Sequence, residues 1–376
     1  MFSTVKQKIE NTAASTQEAI STKASYEQLD EKTRTNSKEA DYVNLFKQMK
    51  ISSLESKDNT TKDNTTIDWQ PEIDRMRSKK SIISLAQLEA KLSVIAACRL
   101  DLEEFKFTVT IFETIKTKIS VAMWKENSVA VKTISLNKQS LEFSLAKCRH
   151  EADLMSQLTG EPNIIRYIGY HLQMLENERD TLYQFHIMME YATRGSLRDI
   201  ISDNLPLSWE RRYQFIDDAA HGLSRIHAHD IIHRDMKSAN LLIDSNWRLK
   251  IADFGISIYK NTRNPFFAGT AIYMAPESLA KTAYTEKSDV FSLALVACEV
   301  VLWDLMKDLL PTNIVLSGNN DNKDELYNYL ISGKRIDLPR DNPITQLITW
   351  GWKTEPEERP SADEFLSEMK SQLQLK

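Results

Sequence analysis

Residues 231–244, IIHRDMKSANLLID, set a carboxylate, an ammonium and a carboxamide, those of Asp235, Lys237 and Asn240, within six positions. Thirteen residues after Asn240 stands Asp253, the first residue of Asp-Phe-Gly, and far upstream Lys132 closes the tetrapeptide VAVK while Glu151 lies in HEADLM. Carboxylate and amide oxygens are the hard ligands that Mg2+ accepts. A lysine ammonium is a compact point charge for a phosphate, and a positioned carboxylate can orient a hydroxyl and take its proton. Together these residue types suit a phosphate-bearing ligand, a divalent cation and a hydroxyl held at one place.

Such groups need elements to hold them. From Pro71 the texture turns from polar to patterned, and Ile82, Leu85, Leu88, Leu92 and Ile95 recur at spacings of three and four, which predicts an amphipathic helical segment within 71–104. That segment is either a docking helix for a protein partner or a helix packed on the domain that follows. FKFTVTIF, 118–124 and 128–134 predict three successive strands, followed by a helical pattern through Leu158 and strands over 164–170 and 182–190. Helices dominate after Ser196. The apolar run 291–303, FSLALVACEVVLW, is too short to span a bilayer and is interrupted by Ser292 and Glu299, so it predicts a buried core helix. A strand-rich unit followed by a helix-rich one predicts an α+β chain of two lobes with a ligand cleft between them.

Composition narrows the class. The chain has 376 residues, 41% of them apolar, and a formal charge of −5, which provides neither a basic stripe for nucleic acid nor a polybasic membrane patch. Cys98, Cys148 and Cys298 are scattered without metal-ligand spacing and fit reduced thiols in a reducing compartment. The N-terminus lacks the apolar run of a signal peptide. A cytoplasmic location is the simplest expectation. Residues 1–70 are polar, repeat KDNTT in tandem at 57–66 and are expected to be disordered. The sequons at Asn59 and Asn64 are then chance matches.

The motifs VAVK, HEADLM, His-Arg-Asp with Asn240, Asp-Phe-Gly and Ala275-Pro276-Glu277 follow one another with the spacing of protein kinases, and the chain resembles that family over 105–372. The resemblance implies a bilobal fold: a small antiparallel sheet lobe with one helix, and a large, mainly helical lobe. It implies ATP and Mg2+ as cofactors and a protein substrate. It places Lys132 on the third strand against the ATP phosphates, with Glu151 on the next helix pairing it. Asp235 would orient the substrate hydroxyl, Lys237 would balance charge on the transferring group, and Asn240 and Asp253 would ligate magnesium. Met189 would guard the adenine pocket, Glu190 and Ala192 would present backbone groups to the base, and Ala130 and Leu242 would pack on its faces. His233 and Phe254 read as packing residues. Asp289 would anchor the catalytic loop, and Glu277 and Arg359 would form a buried ion pair. Lys237 together with the GTAIYMAPE run that holds Thr270 resembles serine/threonine kinases. EPNIIRYIGY, MMEYATRGSLRDII and EPEERPSADEF resemble their tyrosine-kinase-like branch.

Three features depart from the family. Its phosphate loop carries GxGxxG, but Phe112, Thr114 and Thr117 stand at those positions here, and the first glycine of the chain is Gly160. A Cβ there stands between backbone N–H groups and the phosphates. The usual glycine after Asp289 is Ala294. Arg234 normally meets a phosphate on the activation segment, where the matching residue is Phe266; Ser257, Tyr259 and Thr262 remain as hydroxyl-bearing candidates. Two readings follow. The first is a serine/threonine kinase with a degenerate phosphate loop. The second is a pseudokinase acting as an interaction or switch module, whose extreme form resembles the mixed-lineage kinase domain-like proteins.

Overall fold

The computed structural model describes residues 99–136, 138–176, 181–262, 268–315 and 323–373. Residues 1–70, the amphipathic stretch from Ile82 to Ile95, both NTT triplets, Cys98 and Phe266 lie outside the described residues.

Strands β1 (Lys106–Glu113), β2 (Thr117–Trp124), β3 (Asn127–Leu136), β4 (Tyr167–Glu176) and β5 (Thr181–Glu190) form one antiparallel sheet in the order β1-β2-β3-β5-β4. The β2–β3 turn places Lys125 and Glu126 at positive φ, 46° and 65°, as a tight hairpin with the sheet's right-handed twist requires. The Lys125 ammonium lies over the Trp124 ring at 4.3 Å. One face of the sheet buries Phe105, Ala122, Val129, Val131 and Met188 beneath Leu100 and Leu102. Over residues 99–104 the chain makes a bridge, Arg99 with Tyr170, and a 3-10 turn, Leu102–Glu104. The other face carries helix α1 (Leu141–Gln157), which buries Leu141, Leu145, Cys148, Ala152, Leu154 and Met155, and Glu151 among them.

Ile164 and Ile165, expected to open a strand, instead join the large lobe: Ile164 bridges Ile251, and the Ile165 N–H donates to the Ile251 carbonyl at 2.9 Å. The strand starts at Tyr167.

In the large lobe, helix α2 (Leu197–Ser202) starts from a capping box between Ser196 and Asp199, and helix α3 (Trp209–Ala228) starts at Ser208, whose hydroxyl accepts the Arg211 N–H. Helix α4 (Glu286–Leu302) starts from a Thr285–Ser288 capping box and is apolar on all sides, with fourteen buried residues including Glu299. The expected core helix thus forms within α4. Short strands β6 (Ile231–Ile232), β7 (Leu241–Ile243), β8 (Leu249–Ile251) and β9 (Ile258–Tyr259) pair as β6 with β9 and β7 with β8. The loops between them carry the chemistry. No described helix is long and apolar enough to cross a membrane.

Ala294, at the usual glycine position, is accommodated from across the helix interface. Gly351 faces it, and a Cβ on Gly351 would stand 2.8 Å from the Ala294 Cβ. The missing hydrogen is supplied by a different residue.

Candidate functional site

Lys132 sits in the middle of β3, beside Ile119 of β2 and Ile187 of β5. Its Nζ donates to Glu151 Oε1 at 2.6 Å and to Asp253 Oδ1 at 2.9 Å. Burial alone would lower its proton affinity, but the two carboxylates outweigh burial and hold the ammonium well above the usual lysine range. The same ammonium holds the Asp253 carboxyl down at about 2, against the upward pull of burial. Gly255 packs closely on the cluster: a Cβ would meet Asp253 Oδ1 at 3.3 Å and Glu151 Oε2 at 3.4 Å, so a side chain here would press on both carboxylates. Phe254 is fully buried and stands edge-on to His233 at 5.1 Å between ring centres.

Asp235 is held from three directions. Lys237 Nζ donates to Oδ2 at 2.6 Å, and the Thr270 hydroxyl and N–H donate to Oδ1 at 2.8 and 3.1 Å. Asn240 Nδ2 donates to Oδ2 and to the Asp235 carbonyl, both at 2.9 Å. With its amide nitrogen committed in this way, Asn240 has its Oδ1 left for a cation. Lys237 Nζ also donates to the Thr270 hydroxyl at 2.8 Å, closing a Lys237–Asp235–Thr270 ring. Gly269, at φ 128°, lets the chain pass beneath the Arg234 carbonyl, which a Cβ would approach at 2.8 Å.

The loop is strained and well anchored. Arg234 and Asp253 lie at φ 71° and 67°, conformations that cost about 1–3 kcal/mol each in a non-glycine residue. Buried Asp289 secures the first of them, accepting the N–H groups of His233 and Arg234, both at 2.8 Å, and contacting His227 Nε2 at 3.0 Å. Deeper in the lobe, Arg359 forks onto Glu277 at 2.7 and 2.8 Å, and its remaining N–H groups reach the carbonyls of Lys353, Thr354 and Lys287.

Met189, Glu190 and Ala192 lie where β5 leaves the sheet, with Ala130 paired to Met189 across the ladder. The Glu190 N–H donates to the Arg166 carbonyl, so a base contact from this residue would fall to its carbonyl, while its carboxylate forms an ion pair with Lys250 at 2.7 Å. Leu242 bridges Ser196, and the N–H of Ile243 donates to Gly195, which sews β7 to the segment after Ala192.

The glycine-free hairpin is well formed. Thr114 donates its N–H to the Thr117 carbonyl at 2.8 Å, while its hydroxyl accepts the N–H of Thr117 at 3.0 Å and that of Lys116 at 3.4 Å. The hydroxyl therefore occupies backbone donors that a glycine loop leaves open to phosphate. Residue type alone did not reveal this, because it depends on where one hydroxyl points.

The candidate hydroxyls of the activation segment differ in setting. Ser257 is buried and donates to the His233 carbonyl at 3.0 Å. Tyr259 is half-buried, and its hydroxyl meets Gln157 Nε2 at 2.5 Å and Asp153 Oδ2 at 3.2 Å, both on α1; this contact was not foreseen from the sequence. Thr262 is partly exposed.

A sheet lobe and a helical lobe, joined by a Lys132–Glu151–Asp253 cluster above a loop-borne Asp235, define a bilobal nucleotide-handling domain. The protein kinase domain model matches residues 116–369. The chain belongs to the protein kinase family, with similarity to serine/threonine-protein kinases. It is 34% identical over 256 residues to a Dictyostelium discoideum protein described as probable serine/threonine-protein kinase drkD, covering 66% of this chain and 18% of that one. The corresponding match to probable serine/threonine-protein kinase drkC of the same organism is 34% over 265 residues, 68% and 33%. The match to drkA is 29% over 279 residues, 72% and 40%. The chain thus spans no more than about a third of the first two relatives.

Proposed function

We propose that this chain transfers the γ-phosphoryl group of ATP to serine or threonine hydroxyls of protein substrates, with magnesium as the divalent cation. The observation that carries the reading is the Lys132 ammonium held at 2.6 Å from Glu151 and 2.9 Å from Asp253, which sets a phosphate-binding cation and a metal-binding carboxylate side by side. Asp235, fixed by Lys237, Asn240 and Thr270, stands ready to orient a substrate hydroxyl and accept its proton as the P–O bond forms. Lys237, already at Asp235, would balance charge on the group in transit. The oxygen donors Asn240 Oδ1 and the Asp253 carboxylate suit Mg2+ and would hold it, and the ion would supply positive charge against the charge that develops on the transferring group. Met189, Ala130 and Leu242 would enclose the base. The Lys237–Asp235–Thr270 ring supports a serine/threonine rather than a tyrosine substrate.

The Thr114 hydroxyl, occupying the Thr117 and Lys116 N–H groups, favours a second reading, a domain that binds nucleotide poorly and acts as an interaction module. A radiolabelled transfer assay with ATP and magnesium decides between them. Under the first reading, Asp235→Asn lowers transfer by about 10²–10⁴-fold while ATP still raises the melting temperature. Nucleotide binding without transfer by the wild type would overturn it.

A further inference from the structure

We infer that the Tyr259 hydroxyl is a positioning group that latches helix α1 to the activation segment and thereby holds Glu151 on Lys132. Three residues of α1 face this segment at spacings of three and four: His150, Asp153 and Gln157. Gln157 Nε2 donates to the Tyr259 hydroxyl at 2.5 Å, that hydroxyl donates to Asp153 Oδ2 at 3.2 Å, and Gln157 Nε2 also reaches Asp153 Oδ2 at 3.1 Å. The His150 ring stands edge-on to the Tyr259 ring at 5.9 Å, and its Nε2 contacts the Ser257 carbonyl at 2.9 Å. A carbonyl only accepts, so His150 carries its proton on Nε2.

The other side of this short segment is tied to the catalytic loop. Tyr259 and Ile258 pair with Ile231 and Ile232 in the β6–β9 ladder, the Ser257 hydroxyl donates to the His233 carbonyl, and the Lys260 N–H donates to the Asp230 carbonyl at 2.7 Å. Residues 257–260 therefore grip α1 on one side and the strand leading into Asp235 on the other. Glu151 projects from the adjacent face of the same helix into the Lys132 cluster. A shift of α1 away from Tyr259 would draw Glu151 from Lys132, leaving the ammonium to Asp253 alone. The latch is thus a mechanical link between the loop that handles the hydroxyl and the lysine that handles the phosphates.

The consequence for phosphates rests on the kinase reading; the contact itself does not. The test compares wild type, Tyr259→Phe, Gln157→Ala and the double variant in the full chain. Calorimetric titration with ATP and with adenosine is combined with hydrogen exchange of Leu141–Gln157. Removing the hydroxyl should weaken ATP binding about fivefold, the weight of one net hydrogen bond, and leave adenosine binding within about twofold, because adenosine has no phosphate for Lys132 to meet. Exchange over α1 should accelerate, and the double variant should lose no more than either single one. Equal weakening of ATP and adenosine, or unchanged exchange over α1 in Tyr259→Phe, would overturn the latch. Should the wild type bind no ATP, the kinase reading fails, and accelerated or unchanged exchange still decides the latch by itself.

Discussion

Thr114 offers a direct way to ask whether the hairpin is what limits nucleotide binding. Its hydroxyl takes the Thr117 N–H at a full hydrogen-bond distance, 3.0 Å, and the Lys116 N–H at a marginal 3.4 Å. Thr114→Gly removes that acceptor and the Cβ together, and frees about one and a half donors. A hydrogen bond to a charged acceptor is worth about 1.5–3 kcal/mol and a neutral one about half of that, so turning these donors toward phosphate gains about 2 kcal/mol. The extra backbone freedom of glycine costs about 0.5–1 kcal/mol. The net, about 1.5 kcal/mol, corresponds to roughly tenfold tighter binding of ATP. Thr114→Ser keeps the hydroxyl and should bind as the wild type does. Isothermal titration with ATP and adenosine measures both, and adenosine should not distinguish the three proteins. The reasoning is refuted if Thr114→Gly and Thr114→Ser bind ATP alike, or if adenosine tightens along with ATP.

Two further outcomes concern stability. Glu299 is fully buried, accepts from the Tyr273 hydroxyl at 2.6 Å and from the Met306 N–H at 2.7 Å, and burial pushes its carboxyl up to about 7. A carboxyl raised in the folded state binds more protons there than in the unfolded chain, so stability is full below about pH 4.5 and falls as pH rises towards 7, by up to about 3 kcal/mol. Glu299→Gln should flatten that slope in urea melts between pH 5 and 7.5, and an unchanged slope would show that Glu299 is not its source. Glu277→Ala leaves the buried Arg359 guanidinium without its carboxylate and should cost about 3–5 kcal/mol, seen as a melting temperature lower by roughly 10 °C; a loss under 1 kcal/mol would mean that the carbonyls around Arg359 suffice for it.

Much of the site was legible because its chemistry depends on residue identity. Lys132, Glu151, Asp235, Asn240 and Asp253 are the residue types that phosphate and a hard cation require, and the strand and helix periods around them were strong. The three N-terminal strands and the core helix came from the same periodicity. Contacts that depend on direction rather than identity stayed hidden. Nothing in the pattern around Ile164 distinguishes pairing within the small sheet from a bridge to Ile251, because an apolar pair satisfies either. The Tyr259 contact joins residues 102 positions apart, and the Thr114 cap turns on the orientation of a single hydroxyl. Ala294 read as a departure with no visible compensation, yet its accommodation lies at Gly351, a position that no local motif links to it.

The pair between Glu277 and Arg359 has a consequence for how the protein is made. The two residues are 82 positions apart. At about 5–20 residues per second of synthesis, Glu277 leaves the peptidyl transferase centre roughly 4–16 s before its partner exists. Until then the carboxylate must stay hydrated, and the surfaces that close over it cannot yet seal. The large lobe is therefore completed only once residue 359 has been added. A ribosome stalled before residue 359 would present an open lobe, with the apolar flanks of α4 exposed to chaperones.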